Sequence, residues 1–176
     1  MRVIDVSDPT TPREVGILAT DWASGGTWPR RMVVRDGYVY VALQRAGLRV
    51  VDARDPRHPR EAGQYDPSAW VQGVALVGDV LAVPLSGTQS GDPSGLVVLS
   101  IIDPAQPQEV ARLSMQAHPN DVAAAGDHAA VTSSWGVHVI DMHDPTRPRG
   151  VERGRCRRGS RRRRGLVRRT VSDGHL

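Results

Sequence analysis

The sequence has no lysine, no phenylalanine and a single cysteine, Cys156, and only 4% of its 176 residues are aromatic. One cysteine cannot build a disulfide framework or a thiolate metal cluster, so cysteine usage does not indicate the compartment. No apolar run approaches the roughly 20 residues that span a bilayer, and the first residues lack the apolar core of a signal peptide. We therefore expect a chain without a membrane span or a thiolate metal site.

The formal charge of +4 and the isoelectric point of about 10.1 conceal a division of charge along the chain. Residues 1–152 contain 13 arginines and 18 acidic residues, which gives this segment a net charge of −5. Residues 153–176 contain 10 arginines and one acidic residue, Asp173, which gives a net charge of +9. The basic character therefore belongs to the end of the chain and not to its body.

A short motif, Asp-Pro-x-x-Pro, recurs four times in the sequence. The copies begin at Asp8, Asp55, Asp103 and Asp144. They are spaced by 47, 48 and 41 residues, and an apolar run of β type precedes each copy. The first three copies are followed by Arg-Glu or Gln-Glu and a small apolar stretch. Self-similarity at a period of about 40–50 residues indicates a repeat architecture.

Each period contains four short segments with the composition of β-strands. In the first copy they are residues 14–20, 32–35, 38–43 and 48–52. Asp36-Gly37 predicts a tight hairpin between the second and third segments, and Gly78-Asp79 and Gly126-Asp127 take its place in later copies. The third segments are almost continuously apolar, which predicts sheets covered on both faces. We expect an all-β fold, a partial β-propeller of about three four-stranded antiparallel blades.

With this division the chain begins inside one blade and runs through two full blades and most of a third. Closed propellers have about 4–8 blades, so three cannot close a ring, and their end blades expose apolar faces. We expect a fragment of a longer repeat protein, a truncated product, or a chain that self-associates through its end blades.

Residues 47–56 and 137–145 resemble the LVIVD repeat, a β-propeller repeat of bacterial and archaeal proteins, many of them exported or surface-associated. The resemblance covers residues 1–149, although the third copy has Ser100 in place of aspartate and an insertion at residues 86–94. It implies propeller blades and an extracytoplasmic location, secreted or at the cell surface. It implies no reaction, since the family shares no catalytic residues.

Residues 150–176 depart from the repeat pattern, and we expect them to form a disordered basic tail. A run of four arginines there would bind nucleic acid by releasing counterions from phosphates. The run is Arg161, Arg162, Arg163 and Arg164. The tail has no aromatic residue to stack on bases, which weakens this hypothesis. The alternative is out-of-frame translation of a GC-rich gene, which the absence of lysine favours.

Candidate binding residues emerge when the copies are aligned on their hairpin turns. Three columns of residues then enter the second strand of each period, which lies innermost in a propeller. The first column is Trp28, Trp70 and His118, the second is Arg30, Gln72 and Asn120, and the third is Arg31, Gly73 and Asp121. Together with the insertion at residues 86–94, they would form a channel rim that recognises a protein or a small ligand. The alternative is that the tryptophans pack between blades and the polar groups satisfy loop backbone.

Pairs of aspartates three residues apart accompany the motif. The pairs are Asp5/Asp8, Asp52/Asp55 and Asp141/Asp144. Calcium prefers such oxygen ligands, but aspartate before proline is also a common turn former. We expect structural turns here, and neither a metal nor a cofactor.

A hydrolase can be imagined from His118 with Ser133 and Ser134, which follow it in sequence. The sequence has no nucleophile elbow or oxyanion motif around these residues. We therefore expect no enzymatic activity, and we predict a non-catalytic binding or scaffold module.

Overall fold

The computed structural model of the protein describes residues 1–22, 27–87 and 94–155, and of residues 152–155 only the backbone. Within these ranges every regular element is a β-strand, and the paired strands run antiparallel, which confirms the predicted all-β class. The strands form an N-terminal hairpin followed by three larger sheets, named I, II and III in chain order. No helix in this part of the chain is long and apolar enough to cross a membrane.

The N-terminal hairpin pairs β1 (Arg2–Asp5) with β2 (Arg13–Ile17). Sheet I contains β3 (Arg31–Arg35), β4 (Tyr38–Ala42), β5 (Leu48–Asp52) and β6 (Arg60–Tyr65). Sheet II contains β7 (Trp70–Val71), β8 (Ala75–Val77), β9 (Val80–Ser86), β10 (Gly95–Ser100) and β11 (Gln108–Ser114). Sheet III contains β12 (Pro119–Ala125), β13 (His128–Ser133), β14 (Gly136–Asp141) and β15 (Arg149–Arg155). Strands β7 and β8 both pair with β9 and act as one interrupted inner strand.

The division of the repeat into sheets differs from the predicted one. We predicted that residues 14–20 open a new four-stranded unit, but β2 pairs with β1, the strand that precedes it. The later sheets follow the same rule, and in sheet I Asp52 pairs with Arg60 across the motif. The reason is that Asp-Pro-x-x-Pro is a short hairpin turn and not a crossing between blades. Three larger sheets are therefore present, where we expected two full blades and most of a third.

The last strand of each sheet carries the same irregularity, a β-bulge directly after the first two residue pairs. The bulged residues are Val15, Ala62, Val110 and Val151. The fourth copy keeps this register through Arg155, although Gly150 and Glu152 interchange the usual order of glutamate and glycine. The backbone of residues 150–155, which we assigned to the basic tail, thus completes the ladder with β14.

Local hydrogen bonds explain why the motif ends a strand. In each copy the motif aspartate carbonyl accepts from the amide three residues on, as from Thr11 to Asp8 at 3.1 Å. Each motif carboxylate also accepts from the amide two residues on, as from Thr10 to Asp8 at 2.9 Å. Hydrogen bonds from Thr10 and then Thr11 lower the pKa of Asp8. The aspartates that precede the motif bond in the same way, and Ser100 replaces one with a longer 3.5 Å contact.

The inner hairpin turns confirm the prediction from Asp-Gly and Gly-Asp. Asp36 and Gly37 both have positive φ, at 51° and 78°, as a type I′ turn requires. In the later turns only the glycine does, with Gly78 and Gly126 both at 55°, which matches type II′. The order of the two residues therefore selects the turn type, because glycine stands where left-handed backbone is needed.

The sheets pack face to face in chain order. One core cluster joins sheets I and II through residues such as Tyr40, Val50 and Leu81. A second cluster joins sheets II and III through residues such as Leu96, Val122 and Ile140. Five consecutive residues of β9 are buried, which confirms that sheet II is covered on both faces. In β13 only Ala129 and Val131 are buried, so the prediction of two covered faces is wrong for sheet III, the last described sheet of the stack.

The outer face of sheet I is only partly covered. Val41 and Val51 are buried but do not belong to the cluster shared with sheet II, and the N-terminal hairpin stands against the motif of sheet I, where a Cβ on Gly16 would meet Pro56 O. Met32 and Val34 of the inner strand β3 remain exposed at 57% and 59%. Each of sheets I to III has two inner strands next to the two outer strands that correspond to β1 and β2. The described hairpin consists of the two outer strands alone. Met32 and Val34 are exposed because the hairpin has no inner strands to cover them.

Candidate functional site

The inner strands of sheets I, II and III converge at one edge of the stack. Arg31 Nη2 of β3 lies 2.6 Å from Asp121 Oδ2 of β12, so the ion pair joins two sheets that are not neighbours. Gly73, between β7 and β8, lies beneath the pair, and a Cβ there would stand 2.9 Å from Asp121 Oδ1. The third predicted column, Arg31, Gly73 and Asp121, is therefore brought together.

The second predicted column occupies equivalent backbone positions in sheets I and II. The amide of Arg30 donates to Ala42 O at 2.9 Å, and the amide of Gln72 donates to Pro84 O at 2.9 Å. Asn120 lies at the bulge that the pairing makes between Pro119 and Asp121. Arg30 and Asn120 are exposed, and Gln72 is half-buried. Arg30, Gln72 and Asn120 do not share any of the cavities described on this surface.

The first predicted column is open to solvent. Trp28 is 68% exposed and Trp70 38% exposed, and His118 is also exposed. Trp28 is therefore the more accessible of the two tryptophans. Four cavities on the described surface are lined by residues outside the first two columns. We use the name rim for Trp28, Arg30, Trp70, Gln72, His118, Asn120 and Asp121.

The insertion of the third copy begins and ends next to the rim. Its residues 88–93 lie outside the described part of the chain. At its end, Ser94 Oγ donates to Ala117 O at 3.3 Å, and Ser94 O accepts from the amide of Met115 at 3.0 Å. These bonds attach the insertion to the connection that leads into β12, directly before His118.

A cavity of about 320 Å³ opens at the same edge, between the outer strands of sheets II and III. It lies between the connection after β11 and the turn that carries Trp135, which is 56% exposed. Sequence reasoning did not select this site. The available signal was a tryptophan directly before Gly136, in a turn that the alignment already placed on this edge.

The serine–histidine arrangement differs from the one considered from sequence. Ser133 Oγ lies 2.9 Å from His138 Nε2, so its partner is His138 and not His118. The same hydroxyl lies 3.2 Å from Gly136 O and accepts from the amide of Trp135 at 3.2 Å. Ser133 is thereby part of the β13–β14 turn, and His138 is a strand residue of β14.

The aspartate pairs form turns, as described above, and within the described ranges no three or more acidic, histidine or cysteine side chains are grouped to hold a metal ion. Asp52 belongs to a separate ion-pair cluster, in which it accepts from Arg54 Nη2 at 2.8 Å and from Arg60 Nη2 at 3.0 Å. Hydrogen bonds from Arg54 outweigh burial and hold the pKa of Asp52 far below its usual range. The predicted nucleic-acid residues Arg161, Arg162, Arg163 and Arg164 lie outside the described residues.

Comparison with known proteins supports the repeat assignment. The sequence profile of the LVIVD repeat matches residues 1–20 and 29–67, which contain the N-terminal hairpin and sheet I. A search of curated proteins found no significant match. Sheets II and III lie beyond the matched residues, but they repeat the turn, the register and the bulge of sheet I. The chain therefore contains LVIVD repeats in residues 1–20 and 29–67.

Proposed function

We propose that this LVIVD repeat protein is a non-catalytic module of β-propeller type that binds a protein partner through its rim. The face-to-face packing of sheets I to III, with their inner strands converging at Arg31 and Asp121, supports a propeller-like arrangement. That convergence gathers the rim residues of successive sheets at one edge, where a partner can contact several sheets at once.

The observation that carries the proposal is the exposure of Trp28 and Trp70 at equivalent positions of adjacent sheets. Large aromatic side chains are costly to leave in water, and exposed apolar groups rimmed by polar ones often mark interaction surfaces. Tryptophan and arginine are also the residues that most often dominate the binding energy of protein interfaces. Arg30 and Arg31 stand beside Trp28 in sequence.

The shape of the rim favours a protein over a small ligand. Small-molecule sites are usually concave and enclose most of the ligand. Trp28, Trp70 and His118 line none of the four cavities described above. An open surface with separated aromatic side chains suits the broad contact of a protein partner.

The hydrogen bonding of Ser133 supports a non-catalytic role. An activated serine needs a free hydroxyl aimed at substrate and a nearby oxyanion site. The Ser133 hydroxyl instead contacts the backbone of its own turn at Gly136 and Trp135.

The proposal is tested by affinity capture with immobilised protein, followed by mass spectrometry of the retained proteins. We expect the double variant Trp28→Ala/Trp70→Ala to lose the specifically retained protein. The matched control is Ile102→Ala, because Ile102 is 92% exposed in the turn region at the opposite edge of sheet II. Deletion of residues 156–176 and nuclease treatment should leave capture unchanged. Equal capture by wild type and the rim variant would refute the proposal.

A further inference from the structure

The cavity beside Trp135 is separate from the rim and has a different character. It is enclosed on two sides by sheets II and III, whereas the rim is open. Its apolar wall includes Leu113, Met115 and Ile140, and Trp135 stands at its mouth. Its volume of about 320 Å³ is at the small end of the range for ligand sites.

Hydrogen-bonding side chains share the lining with these apolar groups. Ser114 and Gln116 are exposed, and His138 is half-buried against Ser133. A hydrocarbon ligand would displace water from Ser114 and Gln116 without replacing its hydrogen bonds, which is unfavourable. A ligand that matches the lining has one apolar face and a polar circumference.

We infer that this cavity binds the pyranose ring of a carbohydrate. The C–H groups of one face of a pyranose form a flat apolar surface that packs against an indole ring, and its hydroxyls lie around the edge. Trp135 provides the indole, and Ser114, Gln116 and His138 provide hydrogen-bonding groups. The cavity holds about one such ring, so the site recognises a single sugar residue of a glycan or a free glycoside.

Saturation-transfer NMR with methyl β-D-glucopyranoside, methyl β-D-galactopyranoside and methyl β-D-glucuronide tests the inference. We expect at least one glycoside to bind with a dissociation constant on the order of 1 mM. Saturation should be strongest on the protons of one ring face. The glucuronide shows whether a charge contributes, since it shares the ring but carries a carboxylate.

Two exposed positions provide the variants. Trp135→Ala should weaken glycoside binding at least tenfold, and Gln116→Ala should weaken it several-fold. Trp28→Ala is the matched control, because it removes another exposed tryptophan at the same edge that does not line this cavity. Circular dichroism of each variant checks that the fold is kept.

Three outcomes would overturn the inference. One is the absence of saturation for all three glycosides at 10-fold the expected dissociation constant. Another is equal weakening by Trp28→Ala and Trp135→Ala. The third is displacement of the glycosides by N-acetyltryptophanamide at lower concentration, which would assign the cavity to an aromatic side chain of a peptide. The rim proposal involves other residues, so its protein-capture test succeeds or fails independently.

Discussion

Arg31 and Asp121 form an ion pair between the inner strands of sheets I and III, with Nη2 and Oδ2 2.6 Å apart. The two residues are 90 positions apart in the chain, and sheet II lies between their sheets. Gly73 of sheet II makes room for the pair, because its missing side chain would approach the Asp121 carboxylate. The pair is a direct link across the edge where the rim residues gather.

The energetic contribution of this pair should be small and measurable. The side chains are 41% and 44% exposed, so water screens their attraction. A double-mutant cycle with Arg31→Gln and Asp121→Asn should give a coupling free energy of unfolding of about 0.2–1 kcal/mol. Urea unfolding of the four proteins measures it. The coupling should fall in a Gly73→Ala background, and an unchanged value there would contradict the role assigned to Gly73.

The packing of one sheet on the next depends on glycine in the outer strand. A Cβ on Gly63 would collide with the backbone carbonyl oxygen of Ala105 in the motif of sheet II, and Gly16 stands in the same way against Pro56. Backbone cannot move aside as a flexible side chain can, so Gly63→Ala should lower the free energy of unfolding by about 1–3 kcal/mol. Denaturant midpoints measure the change.

Gly150→Ala is the matched control for that substitution. Gly150 also lies in the last strand of its sheet, but no atom of the described residues stands within 4 Å of a Cβ placed there. We expect its effect to lie between zero and a gain of about 1 kcal/mol, because alanine restricts the unfolded chain. Similar losses for both variants would show that the carbonyl contact is not the cause.

The Asp52 cluster should make part of the stability dependent on pH. Asp52 is 6% exposed, and its carboxylate accepts hydrogen bonds from Arg54 and Arg60, of which Arg54 lowers its pKa most. The folded pKa is below the unfolded value of about 3.9, so the stabilisation is present above that pH and is lost as pH falls further. The Asp52→Asn variant should therefore be less stable than wild type at about pH 7.

The difference between the two proteins should narrow as the pH is lowered below about 4. Urea midpoints of wild type and Asp52→Asn across this range measure it, and carboxylates shared by both proteins cancel in the comparison. A constant difference from neutral to acid pH would exclude Asp52 ionisation as its source.

A partly buried tyrosine links the outer strands of sheets I and II. Tyr65 OH donates to Glu109 Oε2 at 2.8 Å, and Arg112 holds the same carboxylate at 2.7 Å. Burial, and then the hydrogen bond to Glu109, raise the pKa of Tyr65 to about 12. Tyr65→Phe should cost about 1 kcal/mol of unfolding free energy and remove one tyrosine from the ultraviolet titration near pH 12.

Burial also raises the pKa of Tyr40 to about 12. Tyr40 and Tyr65 should therefore both ionise late in wild type, and Tyr40 should still do so in Tyr65→Phe. Glu109→Gln serves as a partial change, because it keeps an acceptor and removes the negative charge. It should lower the Tyr65 midpoint without returning it to the value of a free tyrosine near 10.

Turns and strand positions were predictable because their causes are local. The motif carboxylates bond to amides two residues away, and the sign of φ at Gly37 or Gly78 follows from residue type. Sheet membership was less predictable, since either neighbouring strand was a plausible partner for residues 14–20. The continuation of β15 to Arg155 was missed because backbone pairing tolerates Gly150 and Glu152 where composition suggested a tail.

The sequence by itself determined the repeat, the turn at each Asp-Pro-x-x-Pro and the column that contains Arg31 and Asp121, because these depend on short-range bonding and a regular period. Only the tertiary structure decided that Arg31 pairs with Asp121, that Ser133 bonds to His138 and that Trp135 borders a cavity. The physical reason is that the curvature of the stack and the spacing between sheets fix distances between residues far apart in the chain. Those distances depend on packing over the whole stack, and no local pattern encodes them.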